Sequence, residues 1–366
     1  MFAMKLTEII IQKIKQEGPV SFRDFMEMAL YHPQLGYYTS ENEKFGKNGD
    51  YFTSPLVSNM YGQMIGLQVE EMWQIMENDL FTIVEYGAGS GTLCFDILSY
   101  LKRNNSLYEH LNYYIIEKSS YLRRKQQKLL GEKVKWIDCM SELKAISGCV
   151  LSNEVVDNFS VHVVVMEDEL MEVFIDYTHK FTEVLRPAGK NIKHYLKQQN
   201  IQLPRGYRIE INLEAHEWIK EIAVNLHRGF VMTIDYGFLC NELYSPDRKS
   251  GTLACYHKHA INLDPYANIG EQDITAHVNF SALDIWGKNY GLESIGFCNQ
   301  YYFLHSLGLA SHLRKLEQEM YPADMETFCQ VYQLLMQMGN KFKVLIQQKG
   351  IKTKALTGMQ FASKVF

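Results

Sequence analysis

The sequence predicts an α/β protein built on a Rossmann-like, seven-stranded sheet, and three observations carry that expectation. Strand-like and helix-like segments alternate from residue 81 onward. A glycine-spaced turn follows the first of these strands and opens a helix. The alternation is broken once, by roughly 75 residues between the fourth and fifth strands, where one crossover needs about a dozen, so a sub-domain is inserted there.

Before the sheet, Leu6, Ile9, Ile10 and Ile14 share one helical face, and Gly18-Pro19 ends that helix. Ser21 with Asp24 three residues on resembles a capping box and starts a second helix. Residues 31–55 are rich in Tyr, Gly and Pro and read as an ordered loop, with Tyr31, Tyr37, Tyr38, Tyr51 and Phe52 as an aromatic collar. A helix is expected over 56–77. Together, residues 1–78 form an N-terminal helical extension, and 79–366 the core.

Within the core, FTIVEY (81–86), YYIIEK (113–118), KVKWID (133–138) and GCVLSN (148–153) are the first four strands, separated by helices. VHVVVM, LMEVFIDY and FTEVLR read as antiparallel strands of a β-rich insertion over about 155–210. A helix at 213–227 and the strand FVMTIDYG (230–237) resume the alternation. Residues 238–280 read as a long loop, followed by a helix near 280–290, the strand LESIGFCN, helices near 305–338 and the strand KFKVLIQQ.

Composition excludes several classes. The 366 residues are 46% apolar and 22% charged, enough for a sizeable core and unlike a disordered or fibrous chain. Lys and Arg number 37 against 42 Asp and Glu, a net charge of −5, so no broad basic surface for nucleic acid is expected. Seven cysteines without a CxxC pair exclude a disulfide framework and a Cys-rich zinc site, and no HExxH run is present, so no metal is expected. That cysteine usage predicts a cytoplasmic protein. No apolar run approaches the ~18–20 residues that span a bilayer. The first residues carry Glu8, Lys13 and Lys15 and no small-residue cleavage site, so no signal peptide is expected.

The chemistry begins at Glu85-Tyr86-Gly87-Ala88-Gly89-Ser90-Gly91-Thr92. Glycines allow positive φ and close approach to the backbone. The helix N-terminus that follows favours polar or anionic groups. A dinucleotide fingerprint has its third glycine three residues after the second; here Gly87, Gly89 and Gly91 are spaced by two. The alternative is a turn that serves only tight strand–helix packing. Glu117, at the end of the second strand, can accept both hydroxyls of a ribose. With Glu85 and the glycines it points to a nucleoside cofactor. Asp138, past the third strand, suits an adenine contact or a merely solvated strand end.

GxGxG after an acidic residue resembles the class I methyltransferases. That resemblance implies S-adenosylmethionine as cofactor, with Glu85 near its amino group, Gly87, Ala88, Gly89 and Gly91 beneath it, and Asp138 at the adenine. More specifically, the chain resembles the MidA family of class I methyltransferases, which includes the mitochondrial protein arginine methyltransferase of respiratory complex I assembly. The blocks that carry the resemblance are Gly18-Pro19-Val20-Ser21-Phe22, His32-Pro33, Gly36-Tyr37-Tyr38, Gly49-Asp50-Tyr51-Phe52-Thr53-Ser54-Pro55, Ser152-Asn153-Glu154 with Asp157, Asp235-Tyr236-Gly237, Gly251-Thr252-Leu253 and Gly270 through Phe280. The sequence departs from that pattern at Leu56, Gln63, Asn158, Phe159 and Ser160. The resemblance implies methylation of an arginine on a protein, for instance a respiratory-complex subunit.

A guanidinium is always protonated near neutral pH. Carboxylates are therefore expected to hold it and take a proton during transfer. Asn153-Glu154 ends the fourth strand, where open α/β sheets place their ligands. Glu154 is the first candidate and Asp157 the second. Asp273 and His277 share a side whether their segment is helical or extended. Asp157 or Asp273 could instead cap a helix, and His277 could be structural. Asp50, Thr53 and Ser54 could cover the cofactor as a lid, or Thr53-Ser54-Pro55 could start a helix with Pro55 in its first turn. Asn153 is assigned to the cofactor. Two other readings remain: an assembly protein that keeps the fold with little turnover, and an NAD-linked oxidoreductase. A cleft between the core and its additions would seat a macromolecular acceptor.

Overall fold

The computed structural model describes residues 5–44, 46, 49, 50, 53–77, 80–311, 325–352 and 355–363. The chain separates into two compact units. One holds the sheet and comprises Phe52–Val155, Trp218–Gly237 and Leu283–Phe366; the other comprises Met1–Tyr51, Val156–Glu217 and Phe238–Ala282.

In the sheet unit, seven strands form one continuous path: β1 Phe81–Tyr86, β2 Leu111–Ile116, β3 Val134–Ile137, β4 Ile146–Asn153, β5 Leu226–Phe238, β6 Glu293–Asn299 and β7 Phe342–Lys349. Their order is β3-β2-β1-β4-β5-β7-β6. The pairs from β3 to β5 are parallel, and β7 runs antiparallel to both β5 and β6. Strand order therefore reverses between β1 and β4, which opens a crevice at their carboxyl ends. Phe81, Ile83, Val84, Glu85 and Tyr86 of β1 are all buried, as a central parallel strand with both faces covered requires.

Helix α1, Asn59–Ile75, starts where the Ser58 hydroxyl accepts the Met60 amide. The extended backbone at Ser58 separates α1 from a short turn of helix, Ser54–Val57, so the single helix expected over 56–77 is two. Tyr61, Ile65, Val69 and Met72 bury one face of α1 in the apolar cluster that includes Phe81, Ile83 and Tyr113. Helix α2, Thr92–Leu101, crosses α1 closely: a Cβ on Gly62 would stand 2.4 Å from that of Asp96. Helix α3, Ser120–Leu130, begins at Ser119, whose hydroxyl accepts the Leu122 amide.

The other unit unites the first helices with the inserted segment. Strands Val20–Ser21, His162–Met166, Leu170–Tyr177, Phe181–Pro187 and Arg208–Ile211 make an antiparallel sheet. Helices Leu6–Glu17 and Phe22–Tyr31 contribute Leu6, Ile10, Phe22 and Phe25 to its core, with Val163, Val173 and Ile175 from the strands. The insertion also carries a helix, Lys190–Gln198. The extension expected as 1–78 is thus divided, since α1 belongs to the sheet unit.

Residues 238–280 are not the continuous loop their polar sequence predicts. Ala254–His257 pairs with Ala260–Asn262 and with Asp273–Thr275 in a small antiparallel sheet. The hairpin turn, Lys258-His259, has positive φ at both residues, 50° and 60°, without the Asn-Gly that usually marks such a turn. Asp50 supplies the missing stabilisation: its carboxylate accepts the Lys258 amide at 2.6 Å and its carbonyl the His259 amide at 3.2 Å. Toward the carboxyl end, a helix runs over Gln300–Ser306 and a π-helical turn over Gln333–Met338. Residues 312–324 of the helices expected there, and Tyr51 and Phe52 of the aromatic collar, lie outside the described residues.

Candidate active site

The turn after β1 is held by backbone. The Gly87 amide donates to the Ile116 carbonyl at 2.9 Å and the Gly91 amide to Ala88 at 2.8 Å. Gly87, Gly89 and Gly91 have φ of 59°, 53° and 83°, the left-handed region. A Cβ on Gly87 would also lie 2.9 Å from a Val155 methyl. Gly91, the N-cap of α2, has no side chain to cap it, and the Thr92 amide donates to the Ser90 hydroxyl at 3.4 Å. The Ala88 side chain packs into the core cluster, which leaves backbone as its contribution.

Glu117 follows β2. Its Oε1 accepts the Ser119 amide at 2.9 Å and its Oε2 the Gln126 side-chain amide at 3.0 Å. Gln126 also donates to the Gly89 carbonyl at 2.9 Å, tying the glycine turn to this carboxylate. A carboxylate has about four acceptor positions, so one on each oxygen remains for the two hydroxyls of a ribose. Burial raises its pKa. A cavity of about 350 Å³ is lined by Glu117, Lys118, Ser120, Arg123 and Asp138. The Asp138 carboxylate is exposed and pairs with Arg123 at 2.7 Å.

Glu85 points inward. It is 2% exposed, and its carboxylate accepts the Tyr113 hydroxyl at 2.7 Å. Burial pushes it up to about 7, the Tyr113 bond pulls it down and the nearby Glu117 charge adds to the rise. An ammonium group brought close to it would favour the carboxylate.

Glu154 follows β4 with φ of 56°, a left-handed conformation that costs a non-glycine residue about 1 kcal/mol. Its amide donates to Ile234 on β5, and the Asp235 carboxylate accepts the next amide, Val155, so the turn is fixed from β5. Oε1 of Glu154 accepts two bonds: the Ser54 amide at 3.2 Å and the Asn153 side-chain amide at 3.1 Å. Burial pushes its carboxyl up to about 8, and the charge of Asp235 adds to this, while the two donors oppose it. Strain of this sort at a strand end points to a functional role.

Ser54 is buried in the first turn of its short helix, with Pro55 beside it, so the helix start rather than the lid describes this segment. Ser54 instead braces Glu154. Thr53 is the N-cap residue and makes no side-chain capping bond. Asn153, assigned from sequence to the cofactor, is bonded to Glu154 and to Tyr61, whose hydroxyl donates to Asn153 Oδ1 at 2.6 Å.

Asp157, Asp273 and His277 lie in the other unit. Asp157 is buried in a 3₁₀ turn, and its carbonyl accepts the Ala276 amide. Asp273 sits in a strand, so its segment is extended. Its Oδ1 accepts the Tyr38 hydroxyl at 2.9 Å, the Ile274 amide at 2.9 Å and the Asn158 side chain at 3.2 Å. Burial pushes it up to about 7. The His277 ring meets that of Phe238 at 5.3 Å, and its amide donates to the Thr252 hydroxyl. Departures from the family pattern have structural partners here: Asn158 holds Asp273, and the Ser160 hydroxyl donates to Glu27.

The sequence reading missed Tyr61, Tyr113 and Gln126. Gln126 lies among similar polar residues in α3, and nothing in the chain marks it as the one that turns inward. Tyr61 and Tyr113 read as ordinary apolar positions of a helix and a strand.

Strand order and the glycine turn are those of the class I S-adenosylmethionine-dependent methyltransferases, and the open acceptor positions of Glu117 suit the ribose of that cofactor. Residues 64–298 match the model of a family described as S-adenosyl-L-methionine-dependent methyltransferases, and the chain belongs to that family. It is 29% identical to a COG1565 superfamily member from Burkholderia thailandensis solved with S-adenosyl-homocysteine bound, with a TM-score of 0.88 over 98% of this chain and 95% of the other. Among curated proteins it is 25% identical to the mitochondrial protein arginine methyltransferase NDUFAF7 homolog of Drosophila melanogaster, over 93% of this chain and 84% of the relative. The mitochondrial protein arginine methyltransferase NDUFAF7 of Homo sapiens is also 25% identical, over 91% of this chain and 81% of the relative. The protein is thus an S-adenosylmethionine-dependent methyltransferase.

Proposed function

We propose that this methyltransferase modifies an arginine side chain of a partner protein, with Glu154 as the group that meets the guanidinium. The observation that carries this reading is the Glu154 carboxyl, strained, anchored among the described residues through Oε1 alone and placed where β4 ends. When bound, S-adenosylmethionine supplies an activated methyl group. The chain's own residues hold and orient. Glu117 receives the ribose hydroxyls, Gly87 to Gly91 give the cofactor a close backbone bed, and Asp138 borders the cavity at the adenine. Glu154 Oε2 accepts a hydrogen bond from the guanidinium. Glu154 Oε2 would take the proton that the guanidinium nitrogen gives up when it is methylated. Burial raises Glu154 to about 8, close to neutral pH, and an incoming guanidinium would favour the deprotonated form that accepts the proton.

The names of the mitochondrial relatives support an arginine acceptor. Those same names lend no support to the cytoplasmic location, which rests on cysteine usage alone; all seven cysteines carry free thiols. Mass spectrometry of protein extracts from cells with and without the gene tests the acceptor. An arginine site methylated only when the gene is present is the expected result. Methylation that changes only at other residue types sinks the arginine reading and leaves the methyltransferase intact.

A further inference from the structure

We infer that Tyr61 is a positioning residue: through the Asn153 amide it decides which oxygen of Glu154 carries the proton and which stays open to the acceptor. The inference rests on the reading of Glu154 given above.

Tyr61 is fully buried, and its hydroxyl donates to Asn153 Oδ1 at 2.6 Å. An amide whose oxygen is engaged on one side must present its nitrogen on the other, and Asn153 Nδ2 donates to Glu154 Oε1 at 3.1 Å. The Ser54 amide donates to the same oxygen. An oxygen that accepts two N–H groups is the carbonyl-like one. The proton of the neutral acid therefore resides on Oε2, which has no hydrogen-bond partner among the described residues. Deprotonated, Oε2 faces the acceptor with its lone pairs free while Oε1 stays fixed. Were Asn153 to flip, its oxygen would oppose Oε1 and draw the proton there, to the wrong atom.

Tyr61 is suited to hold this orientation. Burial and the nearby Glu154 and Asp235 charges keep its hydroxyl protonated, so it remains a donor. Glu154 and Asp235 act on Tyr61 and on each other here, and Lys343 of β7 stands opposite Asp235 in the sheet. The next residue, Gly62, lets α1 settle against Asp96, which fixes where Tyr61 stands. Neither Tyr61 nor Asn153 touches the reacting atoms in this arrangement; both act through Glu154.

The test is the titration of Glu154 in the full chain, followed by NMR of glutamate labelled with ¹³C at the carboxyl and assigned with Glu154→Gln. Tyr61→Phe keeps the ring and removes the donor. The expected result is a midpoint raised by about one pH unit, a tenfold change in proton affinity, at little cost in thermal stability. An unchanged midpoint in Tyr61→Phe overturns the inference. Should that variant not fold, Asn153→Ala takes its place: it removes the amide outright, and the same rise is expected, its absence again being fatal. Failure of the underlying reading is seen separately. If Glu154→Gln still restores arginine methylation to cells lacking the gene, Glu154 is not the base, whatever the titration gives.

Discussion

Glu117 and Glu154 each follow a strand of the same sheet, yet the chain holds them differently. The donors to Glu117 come from two and nine residues further along, within one strand–loop–helix passage, and engage both oxygens. Among the described residues, Glu154 is anchored by one oxygen only, and its support comes from Ser54 and, through Asn153, from Tyr61, 100 and 92 positions from the residues they contact. The first arrangement is a local cradle with two acceptor positions left over. The second is a long-range construction that leaves one whole oxygen free, on a backbone turn that costs energy to keep. The Glu117 cradle is thus built from a short segment, whereas Glu154 depends on residues far off in the chain, at 54–61 and on β5.

The sharpest way to separate the two ends is Glu154→Gln. Methyl transfer is expected to fall by about 10²–10⁴-fold, the usual worth of a general base. S-adenosylmethionine affinity, read by calorimetry, should stay within a factor of two or so. A matching loss of affinity would mean that the ends are not independent. Glu117→Ala should do the reverse and weaken cofactor binding by about 10- to 100-fold, as loss of hydrogen bonds to a charged acceptor does. Unaltered binding would remove Glu117 from the cofactor site.

A smaller effect probes the long-range construction. Gly62→Ala places a methyl group 2.4 Å from the Asp96 Cβ, and over-packing of this sort costs about 1–3 kcal/mol. Chemical denaturation reads that loss, and transfer should decline as Tyr61 is displaced. Full activity in a destabilised Gly62→Ala protein would show that the exact seat of α1 does not matter to Glu154.

The smallest effect is on stability against pH. Glu85, Glu154 and Asp273 all have values raised to about 7 or 8 by burial. A carboxyl raised on folding contributes stability that is complete below its unfolded value and is lost as pH climbs through its folded value. The thermal midpoint of the free protein should therefore fall from about pH 4 to about pH 8 and level off above that. Glu154→Gln should flatten the upper part of that fall. A midpoint that rises across this range would contradict the burial of these groups.

The sequence alone determined the alternation of strands and helices, the glycine turn and the two acidic strand ends, Glu85 and Glu117. These follow from periodicity and from residues within a few positions of one another, where local geometry leaves little choice. It also put Glu154 in place, since a strand end is visible in the chain. Two features lay beyond it. The hairpin at Lys258-His259 has no turn signature because Asp50, 208 positions away, holds the Lys258 amide. The orientation of Glu154 is settled by Tyr61, a residue indistinguishable in sequence from any other apolar helix position. Both needed tertiary structure for one reason: a hydrogen bond between segments far apart in the chain leaves no periodic trace in either.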